Sequence, residues 1–559
     1  MPRLRDLLGR FFPNGTRPNE SGQERPPFWP PDTFAFVSTV LSMSGFYVQP
    51  RYTAQWNKSC FFRGGYLEEV QRLGRAWKTG AYPNELDKLW RDLLSNQSVD
   101  ISEMNVNCQD AAVKLMTIAD EASEGIGFVA DEENPFADYL LDQHNRQLIR
   151  KGRRGRWDLP FLPESLCWMV PPSEACVQPK TITPSVGCTL RSLSHHLALL
   201  PPVGELRTRW VFGTPAGRSV DQALNLLLVP FPFHIDGNCF AAESFSADDV
   251  SDRNFHFFAL RQNWLEGPNR KIGVARLAEF LERLIGAAEV EVDKVHGLVL
   301  PEAALEASQV RPLAARLARR TNLELFISGY MSSEGRNARL PENAVYTSVF
   351  HNHKMLQAWS QAKHHRWRVD RNQITRYHLG HALDPSRNWW EKIEIKPRTC
   401  NFYVFRDGAT LAALVCEDLA RIEPVQAALR AVGPNLVVVL LMDGPQMEQR
   451  WPGKYATVLA EDPGSSVLTL TSFGMVQRSA MPGQQDTCQV GLWRERLAGA
   501  QELKLPKGRH GLLLTLSSAA ESCRSLDGRP DREATIRLSL SGVRAVSHPD
   551  PPEWADTSA

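Results

Sequence analysis

From about residue 223 onward the chain alternates short, nearly continuous apolar runs with amphipathic segments, and this rhythm constrains the fold more than any other feature. Residues 224–230 (LNLLLVP), 295–300, 323–328, 435–442 and 466–472 are too short and too uniformly apolar for surface helices, and read as buried strands. Residues 274–285 (VARLAEFLERLI), 310–319, 424–432 and 454–460 read as helices. Two hairpins are inserted. Residues 344–350 and 355–361 flank the turn-like pair Asn352–His353, and residues 402–405 and 410–415 flank Arg406–Asp407–Gly408. Asp-Gly tolerates the positive φ that a tight hairpin turn requires. Residues 512–517 read as a last strand. Strands and helices in alternation predict a layered α/β domain.

Upstream the texture differs. A polar, proline-rich lead covers residues 14–32, and residues 34–147 read as mostly helical. Residues 67–77 (LEEVQRLGRAW) carry a stripe through Leu67, Val70, Leu73 and Trp77. Residues 85–94 (ELDKLWRDLL) carry one through Leu86, Leu89, Trp90 and Leu93. Such stripes have to be buried against something. A basic cluster follows at Arg150, Lys151, Arg153, Arg154 and Arg156, and four prolines in residues 171–187 mark a loop. The expected organisation is a mainly helical region over 1–205, a connector over 206–222, the α/β domain over 223–543 and a tail over 544–559.

With 559 residues, more than one domain is expected, and a core of ample size needs neither disulfides nor metal to hold it. The formal net charge of +1 gives no whole-chain reason to expect nucleic acid or an anionic membrane as a partner. No C-x-x-C pair occurs among the ten cysteines. Cys167, Cys176 and Cys188 precede His195 and His196, a set that could hold zinc in principle, but the spacings are loose and no metal or cofactor is expected. No apolar run reaches the length of a membrane span; the most apolar early stretch, residues 33–48, is broken by Ser38, Thr39, Ser42, Ser44 and Gly45. Residues 1–10 are basic without an adjoining apolar region, so the expected location is the cytoplasm.

Three residues of different chemistry fall at the C-terminal ends of predicted strands, where side chains of layered α/β folds emerge from the core. Glu302 follows HGLVLPE, Lys363 follows the second strand of the first hairpin, and Cys416 ends TLAALVC. Each taken alone has a bland reading: a buried thiol acting as a small hydrophobe, a solvated glutamate, a surface lysine. Their joint occurrence in the order Glu, Lys, Cys is what singles them out.

On these residues the chain resembles the nitrilase, or carbon–nitrogen hydrolase, superfamily over roughly residues 223–543. The best-matched segments are residues 298–302, Lys363 with His364–His365, and Cys416–Glu417–Asp418–Leu419. The nucleophile segment of that family commonly reads C-x-D with a glutamate five positions on, here Glu423. A second family glutamate between lysine and cysteine is matched by Glu391, in Trp389–Trp390–Glu391. The chain departs at Gln361, where the family often has an aromatic two residues before the lysine, and at Ile422, where it usually has proline; Lys354 is the alternative lysine. The resemblance implies an α-β-β-α sandwich and an amidase-type hydrolase of a non-peptide C–N bond. Cys416 would be the nucleophile, Glu302 the general base and Lys363 the electrostatic stabiliser. Glu391 would position the lysine or assist as a second carboxylate, and His364 and His365 would line the pocket. The substrate would be a small amide or nitrile. Nitrile hydrolysis and acyl transfer use the same cysteine. Similar domains also occur inside larger multidomain proteins, some of them bacterial antiviral reverse transcriptases, but no Y-x-D-D polymerase motif is present here. A regulatory or interaction protein of a multicomponent bacterial system, keeping the fold for binding, is the competing reading. Residues 1–205 match nothing in the family. For them a protein partner is the leading expectation, with nucleic-acid contact at the basic cluster and self-association left open.

Overall fold

The computed structural model describes residues 2–16, 24–48, 64–125, 165–181, 183, 187–202, 206–212, 223–243, 256–267, 271–332, 340–406, 409–480, 488–530 and 535–557. Strands are numbered β1–β20 along these residues. One seven-stranded sheet runs, in spatial order, β10 (Lys354–Ala362), β9 (Asn343–His351), β8 (Leu325–Met331), β7 (Gly297–Glu306), β4 (Leu224–Leu228), β19 (Gly511–Glu521) and β20 (Thr535–Val546). A second runs β18 (Gly499–Lys504), β17 (Gln489–Glu495), β16 (Ser466–Thr471), β15 (Leu436–Leu441), β14 (Ala409–Val415), β13 (Thr399–Phe405) and β3 (Arg207–Phe212). Their centres are parallel, β4–β7–β8 in one and β14–β15–β16 in the other. The central strands are buried on both faces, which is why they read as continuous apolar runs.

The two sheets face each other, β7 against β15 and β16 and β9 against β14. Helices Val274–Ala288 and Ala307–Arg320 cover the first sheet, and Trp451–Glu461 covers the second. The result is the α-β-β-α layering that the resemblance implied. At the end of the sandwich where the parallel strands terminate lies a small third sheet, β11 (Arg368–Val369), β12 (Trp389–Glu391), β6 (His256–Leu260) and β5 (Phe240–Ala242). Its own apolar cluster joins Phe240, Phe258, Trp367, Tyr377 and Trp389 to Met442, which follows β15.

The first predicted hairpin is β9–β10, with Asn352 and His353 both at positive φ in its turn. In the second, β13–β14, Asp407 and Gly408 lie outside the described residues, as do the basic cluster at Arg150–Arg156 and the side chain of Glu423. Among the described residues no helix is long and apolar enough to cross a membrane.

The amino-terminal part is mainly helical. Helices Pro30–Ser44, Tyr66–Lys78 and Glu85–Leu94 pack around Val106–Ala122. The stripes do what their spacing requires: Val70, Leu73, Trp77, Leu86, Trp90 and Leu93 are all buried. β1 (Cys176–Pro179) and β2 (Leu197–Leu200) form a two-stranded sheet beside them. The candidate zinc residues are dispersed into structural roles. Cys167 lies against the Pro31 carbonyl, Cys188 is exposed, and the backbone N–H groups of His195 and His196 donate to Asp120.

The expected boundaries shift at two places. Residues 207–212, assigned to a connector, form β3, which pairs in parallel with β13 at the edge of the second sheet. The tail begins later than residue 544, since β20 runs to Val546, and Trp554 packs against Phe231 and Phe280. The helical part is also tied in electrostatically. Arg529, with no exposed side-chain surface, donates to Asp527 and Asp120 at 2.9 and 3.1 Å and to the Thr117 carbonyl at 3.3 Å. Burial alone would push the Asp120 pKa up, but Arg529 and His196 outweigh it and bring it down to about 2. Removing one partner of a buried ion pair strands the others. Arg529→Ala is therefore expected to lower stability by about 3–5 kcal/mol, read as a fall in the denaturant midpoint. A shift under about 1 kcal/mol, the scale of an exposed pair, would show that this cluster is not structurally coupled.

Candidate active site

Glu302 reaches its place through an irregularity. β7 and β8 pair regularly up to Leu300–Ser328 and resume at Leu305–Tyr330, so Pro301–Ala304 bulge out of the ladder. Ala303 takes a φ of 54° within the bulge. A bulge bends a strand and re-aims its side chains. It fits here because residue 329 is glycine: a Cβ there would stand 2.4 Å from the Glu302 Cα and 2.4 Å from the Pro301 carbonyl oxygen. Cys416 is placed by a second departure from regular backbone. It follows β14 directly, opens the short turn Cys416–Leu419, and holds a φ of 46°, a conformation that non-glycine residues adopt at a cost.

Lys363 follows β10, and Glu391 ends β12 in the third sheet. The Lys363 ammonium donates to Glu302 Oε1 at 2.8 Å and to Glu391 Oε2 at 2.7 Å. The Asn343 side-chain amide bridges the same two carboxylates, 2.8 Å from each. Glu391 is fixed further by the Trp367 backbone N–H, 3.1 Å away. One carboxylate oxygen is left over: Glu302 Oε2 is buried and has no hydrogen-bond partner among the described residues. Lys363 and Glu302 are close enough to Cys416 to act on its thiol electrostatically. All four expected residues thus come together, and all are enclosed, with Cys416 2% exposed. Lys354, by contrast, is exposed at the far end of β10.

The electrostatics follow from that enclosure. Burial raises the Glu302 pKa, with Lys363 opposing and Glu391 reinforcing. Burial works against the Lys363 ammonium, yet Glu302, Glu391 and Cys416 together overcome it and hold its pKa well above the ordinary value. Burial and Glu302 push the Cys416 thiol well up, with Lys363 opposing them.

Asp418, two residues past Cys416, was part of the sequence motif without an assigned task. Both its oxygens accept the His364 backbone N–H at 3.1 Å, and Oδ1 also meets His365 Nδ1 at 3.1 Å. It clamps the segment after Lys363 to the turn at Cys416. His364 is buried, with Nε2 3.0 Å from the Thr399 carbonyl oxygen, while His365 keeps part of its ring exposed. Gln361, where an aromatic was expected, bonds the Ala413 carbonyl and receives the Asn401 N–H, joining the two sheets. Ile422, in place of proline, is exposed. Asn343 was missed from sequence, since a lone asparagine at a strand start carries no pattern.

No family model matches the chain, and no curated protein does. Solved structures that resemble it include an amidase of the nitrilase superfamily from Nesterenkonia, 14% identical over 53% of this chain and 92% of that one, with a TM-score of 0.31. A branch 10 member of the nitrilase superfamily from Saccharomyces cerevisiae is 11% identical over 51% of this chain and 87% of that one, with a TM-score of 0.30. A glutamine-dependent NAD+ synthetase from Acinetobacter baumannii is 11% identical over 57% of this chain, with a TM-score of 0.32; the chain spans about half of that protein, 48%. The α-β-β-α sandwich itself takes in residues 207–212 as well as strands between residues 224 and 546. The residue roles proposed below rest on the geometry of this chain itself.

Gly329→Ala tests the placement of Glu302. The added methyl meets the backbone of the β7 bulge at Pro301, Glu302 and Ala303, so β7 or β8 must shift, and overpacking of this kind costs roughly 1–3 kcal/mol. The variant is expected to melt earlier; an unchanged melting temperature would show that the bulge is not held by this contact.

Proposed function

We propose that the protein hydrolyses a non-peptide carbon–nitrogen bond, as an amidase does, through an acyl-thioester on Cys416. The observation that carries this reading is the division of labour within Glu302. Its Oε1 is saturated by Lys363 and Asn343, whereas its Oε2 is buried with no hydrogen-bond partner among the described residues, and Glu302 is within electrostatic reach of the Cys416 thiol. An oxygen so placed is suited to receive the thiol proton as the sulfur attacks.

In this mechanism the Cys416 Sγ bonds to the carbonyl carbon while its proton passes to Glu302. Two of the three N–H donors of Lys363 serve the glutamates, and the third remains for the oxyanion of the tetrahedral intermediate. The C–N bond breaks, Glu302 returns its proton to the departing ammonia or amine, and the thioester remains. Water then attacks the thioester, Glu302 takes a proton from it, and the acid leaves as the thiol is restored. Glu391 and Asn343 are positioning residues that keep Lys363 and Glu302 in register. Nitrile hydrolysis and acyl transfer would draw on the same thiol and differ in what attacks or leaves.

The burial of all four residues also favours a second reading, in which the fold is kept as a binding or regulatory module. Substrate reaches Cys416 only if the covering segments move, and a module without turnover needs no such movement. Ammonia release from a panel of small amides and nitriles separates the two readings.

With a substrate from that panel, Cys416→Ala is expected to lose turnover entirely while keeping its circular dichroism. Glu302→Gln is expected to lose a factor of about 10²–10⁴ in kcat. Because Glu302 must be ionised to act and its pKa is raised, kcat/KM should fall on acidification at a pH above the ordinary glutamate range. Full activity in Cys416→Ala would eliminate the mechanism.

A further inference from the structure

Glu302 is not the only carboxylate near Cys416 with one oxygen saturated and the other bare. Asp443 lies two residues beyond β15, the parallel neighbour of β14. Val415 pairs with Leu440, so Cys416 and Asp443 leave adjacent strands at the same end of the sheet. Burial and Glu302 dominate the thiol's upward shift, and Asp443 is among the charges that add to it. Three donors converge on a single oxygen of Asp443: the Tyr377 hydroxyl, Arg450 Nη2 at 2.8 Å and the Gly444 backbone N–H at 2.8 Å all reach Oδ1. Oδ2 has no hydrogen-bond partner among the described residues, although Asp443 is only 4% exposed.

A bare carboxylate oxygen in a buried setting is costly, and a ligand donor removes that cost. The mechanism above makes no use of this oxygen. The chemistry of the oxygen specifies the donor. A carboxylate oxygen can only accept, and a cationic N–H donor pairs with its charge as well as with its lone pair.

We propose that Asp443 is a specificity-determining residue whose Oδ2 accepts an N–H of the substrate's acyl portion, so that the preferred substrates are amides bearing an amino group close to the carbonyl. Tyr377 and Arg450 hold the carboxylate in place through Oδ1 and leave Oδ2 for the ligand. This rests on the hydrolase reading for its chemistry but not for its binding.

Alaninamide and isobutyramide test it, since the two differ by an ammonium against a methyl of similar size. A site built to satisfy a substrate N–H rejects the analogue lacking it strongly. In the full-length protein kcat/KM for alaninamide should exceed that for isobutyramide by about tenfold or more, and Asp443→Asn should narrow the ratio to within about twofold. Titration calorimetry on Cys416→Ala protein should show the same binding preference with no turnover needed. Equal binding of the two amides, or an undiminished preference in Asp443→Asn, would overturn the assignment. A binding preference that depends on Asp443, in a wild-type protein that hydrolyses neither amide, supports the assignment and overturns the hydrolase reading instead.

Discussion

A lysine with no exposed side-chain surface must be neutralised where it sits, and Lys363 is neutralised twice, by Glu302 at 2.8 Å and Glu391 at 2.7 Å. The surplus negative charge this leaves is what the proposed mechanism draws on. Two carboxylates and one ammonium cannot all be charged in a buried space without consequence, and with burial the consequence falls on Glu302 and on the Cys416 thiol, both of which are pushed up. In the proposed mechanism Glu302 is the base and Cys416 the nucleophile of this pair.

Three separate elements converge at the site, two of them through a local departure from regular structure. β7 bulges at Glu302 and is admitted by the missing side chain of Gly329. β14 ends in a cysteine at positive φ. The third sheet, at the end of the sandwich, delivers Glu391 to Lys363. Asp418 then ties the lysine segment to the cysteine turn. The helical amino-terminal part is fixed to the sandwich by Arg529 and by β3, so it packs as part of the same body around the joint.

Much of this was legible in the sequence because buried parallel strands write themselves as apolar runs. LNLLLVP, the β9–β10 hairpin with its Asn352–His353 turn, and the strand leading to Cys416 are examples. Glu302 and Cys416 were visible as polar residues ending such runs. Glu391 was not visible by pattern, since a three-residue strand has no periodicity; only the family resemblance pointed to it. The helix Pro30–Ser44 is buried on nearly every side, which erases the 3.6-residue stripe and leaves an apolar stretch interrupted by serines. β3 was passed over as a connector because its RTRWVF sets three polar residues before three apolar ones, so the alternation in burial, with Thr208 and Trp210 inside and Arg207 and Arg209 outside, is not written in residue type. Asn343, Tyr377 and Asp443 depend on contacts between segments far apart in the chain, which no local pattern encodes.

The central claim is that Cys416, served by Glu302 and Lys363, forms a covalent bond to the acyl group of an amide. Intact-protein mass spectrometry after rapid acid quench of the full-length protein with a panel amide measures this directly. The account predicts an adduct of the acyl mass, mapped to Cys416, labile to hydroxylamine as a thioester is, and absent from Cys416→Ala. An amide that is hydrolysed at an undiminished rate by Cys416→Ala protein, or an acyl adduct mapped to any other residue, would contradict it.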